Sequence, residues 1–111
     1  MGEENRRHHR LGVALEMQVR GKDCYGEPFD EATSSDDVSR GGCSFDTTHE
    51  VELGAELDLE ILRRFAARRP PTPFLTTGVA VRVVAQQQDQ YRVSVRFTGP
   101  QFPVFSSEGT G

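Results

Sequence analysis

The chain is 111 residues long, 27% charged and 35% hydrophobic, has no tryptophan, and carries a formal net charge of −4. That length supports one domain with one modest core, not two. The acidic balance removes any global attraction to nucleic acid or an anionic membrane, so an anion site has to be local.

Residues 1–11 carry the basic run Arg6-Arg7-His8-His9-Arg10 and read as a flexible arm ahead of the first strand. From Val13 to Arg20, Val13, Leu15, Met17 and Val19 alternate with Ala14, Glu16, Gln18 and Arg20, the period-two pattern of a half-buried strand. Turn formers follow from Gly21 to Pro28. Phe29 to Ser35 is a weakly patterned strand suited to a sheet edge. After a turn at Asp37 to Gly42, Cys43, Phe45 and Thr47 define one inward row and Leu57, Leu59 and Ile61 another, with a turn near Gly54 between them. From Ile61 to Arg69 the period changes, and Pro70 and Pro71 stop whatever forms there; one short helical turn or a loop is the most this segment supports. Val79, Val81 and Val83, then Tyr91, Val93, Val95 and Phe97, give a hairpin joined by the polar Gln86 to Gln90 stretch. Residues 100–111 are rich in Gly, Pro and Ser and read as a flexible tail, although Phe102, Val104 and Phe105 are able to pack back.

About six short strands, each with one apolar face, and no long helix need a sandwich or a barrel to bury those faces. The expectation is all-β: a six-stranded antiparallel barrel over residues 12–99, its interior filled with side chains and any binding site on the outside. No signal peptide or apolar run of membrane length is evident, so a cytoplasmic protein without membrane insertion is the default. Cys24 and Cys43 have no CxxC spacing, and Cys43 reads as a small buried hydrophobe.

Two stretches carry chemistry. Asp37-Val38-Ser39-Arg40-Gly41-Gly42 sets a carboxylate, a hydroxyl and glycines on one turn, where acceptors meet the N–H groups of a purine edge and glycine permits close approach. Asp, Ser and Gly are also the ordinary turn formers. The spacing Arg6-x-x-x-Arg10 recurs at Arg64 and Arg68 and at Arg92 and Arg96, the last pair reading as a solvated strand face. Only the Arg6 and Arg10 pair lies on an arm able to fold over an external surface. His8, His9 and His49 do not converge as a metal site, since neighbours on an extended arm point apart. Ser39 and His49 lack a nucleophile elbow or an oxyanion-hole pattern, so no enzyme is expected.

Taken in order, arm, strand, Asp37 turn and all-β remainder, the chain resembles the PilZ domain family, whose RxxxR and (D/N)xSxxG motifs correspond to Arg6 to Arg10 and Asp37 to Gly42. The resemblance implies a cyclic di-GMP receptor that takes the dinucleotide on the outer barrel surface. Arg6 and Arg10 would grip phosphate and guanine, Arg7 would assist, and Asp37, Ser39, Gly41 and Gly42 would form the facing guanine site. Guanidinium groups suit both halves of such a ligand, pairing with phosphates and stacking on flat bases. Asn5 stands where members that take a ligand pair often have another arginine, which leaves one or two ligands open. Coupling segments found in larger members are not expected here, so signalling would run through an unidentified downstream protein that reads a ligand-induced change of surface. The alternative within the same resemblance is an adaptor for pilus or motility machinery that ignores the nucleotide. An oligonucleotide-binding barrel would need a basic groove with interleaved aromatics, which the acidic chain does not offer.

Overall fold

The computed structural model describes residues 15–35, 37–63 and 72–103. Among the described residues, seven antiparallel strands form one sheet: β1 (Leu15–Lys22), β2 (Pro28–Ser35), β3 (Asp37–Ser39), β4 (Gly42–Thr47), β5 (Glu56–Arg63), β6 (Thr72–Ala85) and β7 (Tyr91–Phe97). Their spatial order is β2-β1-β5-β6-β7-β4-β3, which curls into a half-barrel. The class is all-β as expected, and the strand beyond six is β3. The Asp37 stretch is more than a turn, because Asp37, Val38 and Ser39 pair with Ser44, Cys43 and Gly42.

The two edge strands are consecutive in the chain, with one residue between Ser35 and Asp37. Chain connectivity therefore pulls the sheet edges toward each other, and side chains seal the seam where no continuous backbone ladder runs. Thr33 Oγ1 donates to the Asp46 carbonyl at 2.8 Å, and the buried Ser35 hydroxyl donates to the Ser44 carbonyl at 2.6 Å. Glu31 accepts from the hydroxyls of Thr47 and Thr48, and His49 stacks on Phe29 with ring centroids 4.4 Å apart.

Alternation explains the core. Leu15, Met17 and Val19 of β1, Cys43 and Phe45 of β4, Leu57, Leu59 and Ile61 of β5, and Val93, Val95 and Phe97 of β7 all point inward and are buried. Phe45 and Ile61 are fully enclosed, each contributing roughly 2 kcal/mol of burial. At Gly54 the backbone turns with φ of +87°, a conformation that favours glycine, and feeds β5.

β6 departs from the expected pattern in two ways. It starts at Thr72, well before the valine run, because Thr72–Val79 pairs along all of β5. Val79 pairs with the outward Glu56 and Arg96, so Ala80 rather than Val79 enters the core, and a bulge between Ala80 and Arg82 then leaves Val81 51% exposed and turns Val83 inward. Ile61, Leu62 and Arg63, expected to begin a helical turn, continue β5 as strand; residues 64–69 of that segment lie outside the described residues.

Residues 100–103, expected to begin the tail, are fastened to the barrel. Phe102 is 3% exposed and meets Phe74 edge to face at 5.1 Å, its N–H donates to the Arg40 carbonyl at 3.0 Å, and Thr76 Oγ1 donates to the Pro100 carbonyl. Val104 and Phe105 lie outside the described residues. Among those described, no helix is long and apolar enough to cross a membrane.

Candidate ligand-binding face

Because side chains on a strand alternate, Asp37 and Ser39 project from the same outer face of β3 while Val38 between them is buried. Pairing extends that face across three strands. Asp37 lies beside Ser44, and Ser44 beside Ser94; Ser39 lies beside Gly42, and Gly42 beside Arg96. These residues line an open groove of about 300 Å³.

Gly42 is the gap in that second row. A Cβ there would meet the Val95 carbonyl oxygen at 2.2 Å, so only glycine lets β4 lie this close to β7. Neither Gly41 nor Gly42 has a positive φ, and Gly41 faces open space. The glycine expected for conformational freedom is thus required for close approach, with the neighbouring strand as the group approached. Without a side chain at Gly42, the Ser39 hydroxyl and the Arg96 guanidinium border one depression.

The turn is held from both sides. Phe97 N–H donates to the Gly41 carbonyl at 2.8 Å, and Phe102 N–H to that of Arg40. Behind it, Asp37 N–H faces the Ser35 hydroxyl at 3.4 Å. The motif is therefore built on a backbone frame fixed by β7 and the segment after it.

The polar groups divide by side. The exposed Ser39 hydroxyl donates to the Gly42 carbonyl at 3.3 Å, which leaves its lone pairs as acceptors beside the Asp37 carboxylate. The Ser44 and Ser94 hydroxyls share a hydrogen bond of 3.0 Å along the floor. On the β7 side, the exposed Arg96 has no side-chain partner among the described residues, whereas Arg92, two rows along, bonds Asp46 at 3.4 Å. The groove so presents acceptors from β3 and donors from β7. Beneath it, burial together with the nearby Asp37 charge pushes the Cys43 thiol up to about 12, making it an inert core group.

Of the residues expected to form the site, Asp37, Ser39, Gly41 and Gly42 come together on this face. Arg6, Arg7 and Arg10 lie outside the described residues. Sequence reasoning missed Ser44, Ser94 and Arg96. The signal for Arg96 was present, since its parity on β7 puts it outward, but the strand pairing that sets it beside Ser39 was not visible.

The PilZ domain model matches residues 4–104, nearly the whole chain and both motifs. The chain belongs to the PilZ domain family. PilZ domains are cyclic di-GMP receptor modules and not a catalytic family. Among solved structures, the chain is similar to the Bacillus subtilis inhibitor of motility MotI/DgrA, with a TM-score of 0.63 and 17% identity over 82% of this chain and 41% of that one. It is also similar to K. pneumonia MrkH, with a TM-score of 0.53 and 21% identity over 81% of this chain and 40% of that one, and to MrkH in its apo state, with a TM-score of 0.51. At these identities the likeness is one of fold, and this chain spans about two fifths of each of those proteins. No curated protein matches it.

Proposed function

We propose that this PilZ domain is a cytoplasmic cyclic di-GMP receptor that holds the dinucleotide against the β3–β4–β7 face, beneath the arm bearing Arg6, Arg7 and Arg10. The observation that carries this reading is the shared depression bordered by Asp37, Ser39, Gly42 and Arg96. Guanine offers N–H donors on one edge and the acceptors O6 and N7 on another. Acceptors on Asp37 and Ser39 answer the first edge, and the Arg96 guanidinium answers the second or a phosphate. The arm arginines supply the positive charge that an acidic chain otherwise lacks for two phosphates. Gly41 contributes its backbone at the open lip of the turn, where no side chain obstructs a base.

Binding orders the arm over the groove and creates a new surface for a downstream protein, with no chemical step and no metal. Titration calorimetry with cyclic di-GMP tests the reading. Saturable binding is expected for the full chain, and Arg10→Ala weakens it at least about a hundredfold, the cost of losing a charge-assisted, bidentate phosphate contact. No heat at millimolar ligand, or an Arg10→Ala variant that binds like the parent, overturns it.

A further inference from the structure

The outward face of β6 is unlike the rest of the exterior. β6 lies between β5 and β7, and the outer face of a one-sided antiparallel sheet is ordinarily polar. Here Leu75, Val81 and Val84 are 62%, 51% and 39% exposed, with Val79 half-buried in the same outward line. They make an apolar stripe along a 14-residue strand, interrupted by the exposed Thr77 and Arg82.

The flanks of that stripe carry opposite charge. Val79 pairs with Glu56 of β5 on one side and with Arg96 of β7 on the other, so Glu56, Val79 and Arg96 form one transverse row: acid, apolar, base. Glu56 and Arg96 are both exposed. Such a row is complementary to itself. A two-fold axis parallel to β6 exchanges the β5 and β7 sides while keeping each residue at its own height, so Glu56 of one copy faces Arg96 of the other, twice, with Val79 against Val79 between them. An axis across the strands would instead set Glu56 against Glu56. Shape agrees with charge: the outer face of a curled sheet is convex, so two copies touch along the central valines and diverge at the flanks, where the long Glu and Arg side chains span the gap.

We propose that the outer face of β6 is a self-association surface on which a second copy of this chain docks about a two-fold axis parallel to the strand. The contact is three strands wide, about 15 Å, which is at the small end of specific interfaces, so the dimer is weak and reversible. Arg82, exposed on β6 itself, meets its own copy across the axis and opposes association. That repulsion gives the proposal a signature that a merely structural patch would lack.

Sedimentation velocity on the full chain without dinucleotide, from about 10 µM to about 1 mM, reads this directly. A concentration-dependent dimer is expected. Glu56→Arg and Arg96→Glu each weaken it about tenfold, and the two reversals combined in one chain restore it. Arg82→Ser strengthens it severalfold. A monomer over the whole range, or a dimer that both single reversals leave intact, overturns the proposal.

Discussion

Two outer faces of the sheet invite comparison. The β2–β1–β5 face has the larger hollow, about 450 Å³, lined by Glu16, Gln18, Arg20, Thr33 and Glu60 among others. The β3–β4–β7 groove is smaller, at about 300 Å³. Yet the larger hollow has its cation occupied: Arg20 bonds Asp30 at 3.0 Å and reaches Glu60 at 3.8 Å, and Gln18 also donates to Asp30. On the smaller face Arg96 has no such partner among the described residues, and Ser39 keeps acceptor lone pairs toward the groove. What marks a site is binding capacity left over after folding, and on that measure the smaller groove exceeds the larger one.

The comparison is broken most strongly within the motif itself. Gly42→Val forces a side chain into the Val95 carbonyl and should cost about 3 kcal/mol of stability in urea unfolding. Gly41→Ala, one residue away and facing open space, should stay within about 0.5 kcal/mol. Equal effects would mean that β4 and β7 are not held as closely as the pairing requires.

The next effect separates the two faces by function. Asp37→Ala and Ser39→Ala should each weaken cyclic di-GMP binding about tenfold or more, as expected for lost hydrogen bonds involving charged or closely matched polar groups. Arg96→Ala should weaken it about fivefold and flatten its salt dependence. Arg20→Ala, on the larger hollow, should leave calorimetric affinity unchanged; a matching loss there would move the site to that face.

The smallest effect concerns acid. The Gln18 hydrogen bond first, and the Arg20 hydrogen bond second, hold the Asp30 carboxyl below its ordinary value of 3.8. A depressed folded-state pKa contributes stability that is complete above the unfolded value and fades as pH falls through the folded one. The Arg20–Asp30 contribution should therefore be constant at neutral pH, begin to fade below about pH 4, and be lost once the pH lies below the folded-state value. Thermal melts of the parent and Arg20→Ala should converge there; a gap persisting at pH 2 would assign the difference to packing of the Arg20 stem.

Alternation along a strand is a local property, so the inward rows of β1, β4, β5 and β7 were legible from residue order, and so were the edge character of β2 and the Gly54 turn. The (D/N)xSxxG pattern marked Asp37 and Ser39 only as members of a turn; that they share one outer face follows from the pairing of β3 with β4. β6 escaped this reading because a bulge is set by pairing with β7; a run such as Val79-Ala80-Val81-Arg82-Val83-Val84 is compatible with either parity.

By itself, then, the sequence determined the all-β class, the family motifs and which residues of each strand face in or out wherever the period is unbroken, because those depend on neighbours one or two positions away. Tertiary structure alone decided that Gly42 serves the approach of β4 to β7, that Phe102 and Phe97 brace the turn, and that Arg96 stands across the groove from Ser39. Those facts depend on which strands lie side by side, and residues 42 and 96 become neighbours only when the sheet curls and its distant segments pair.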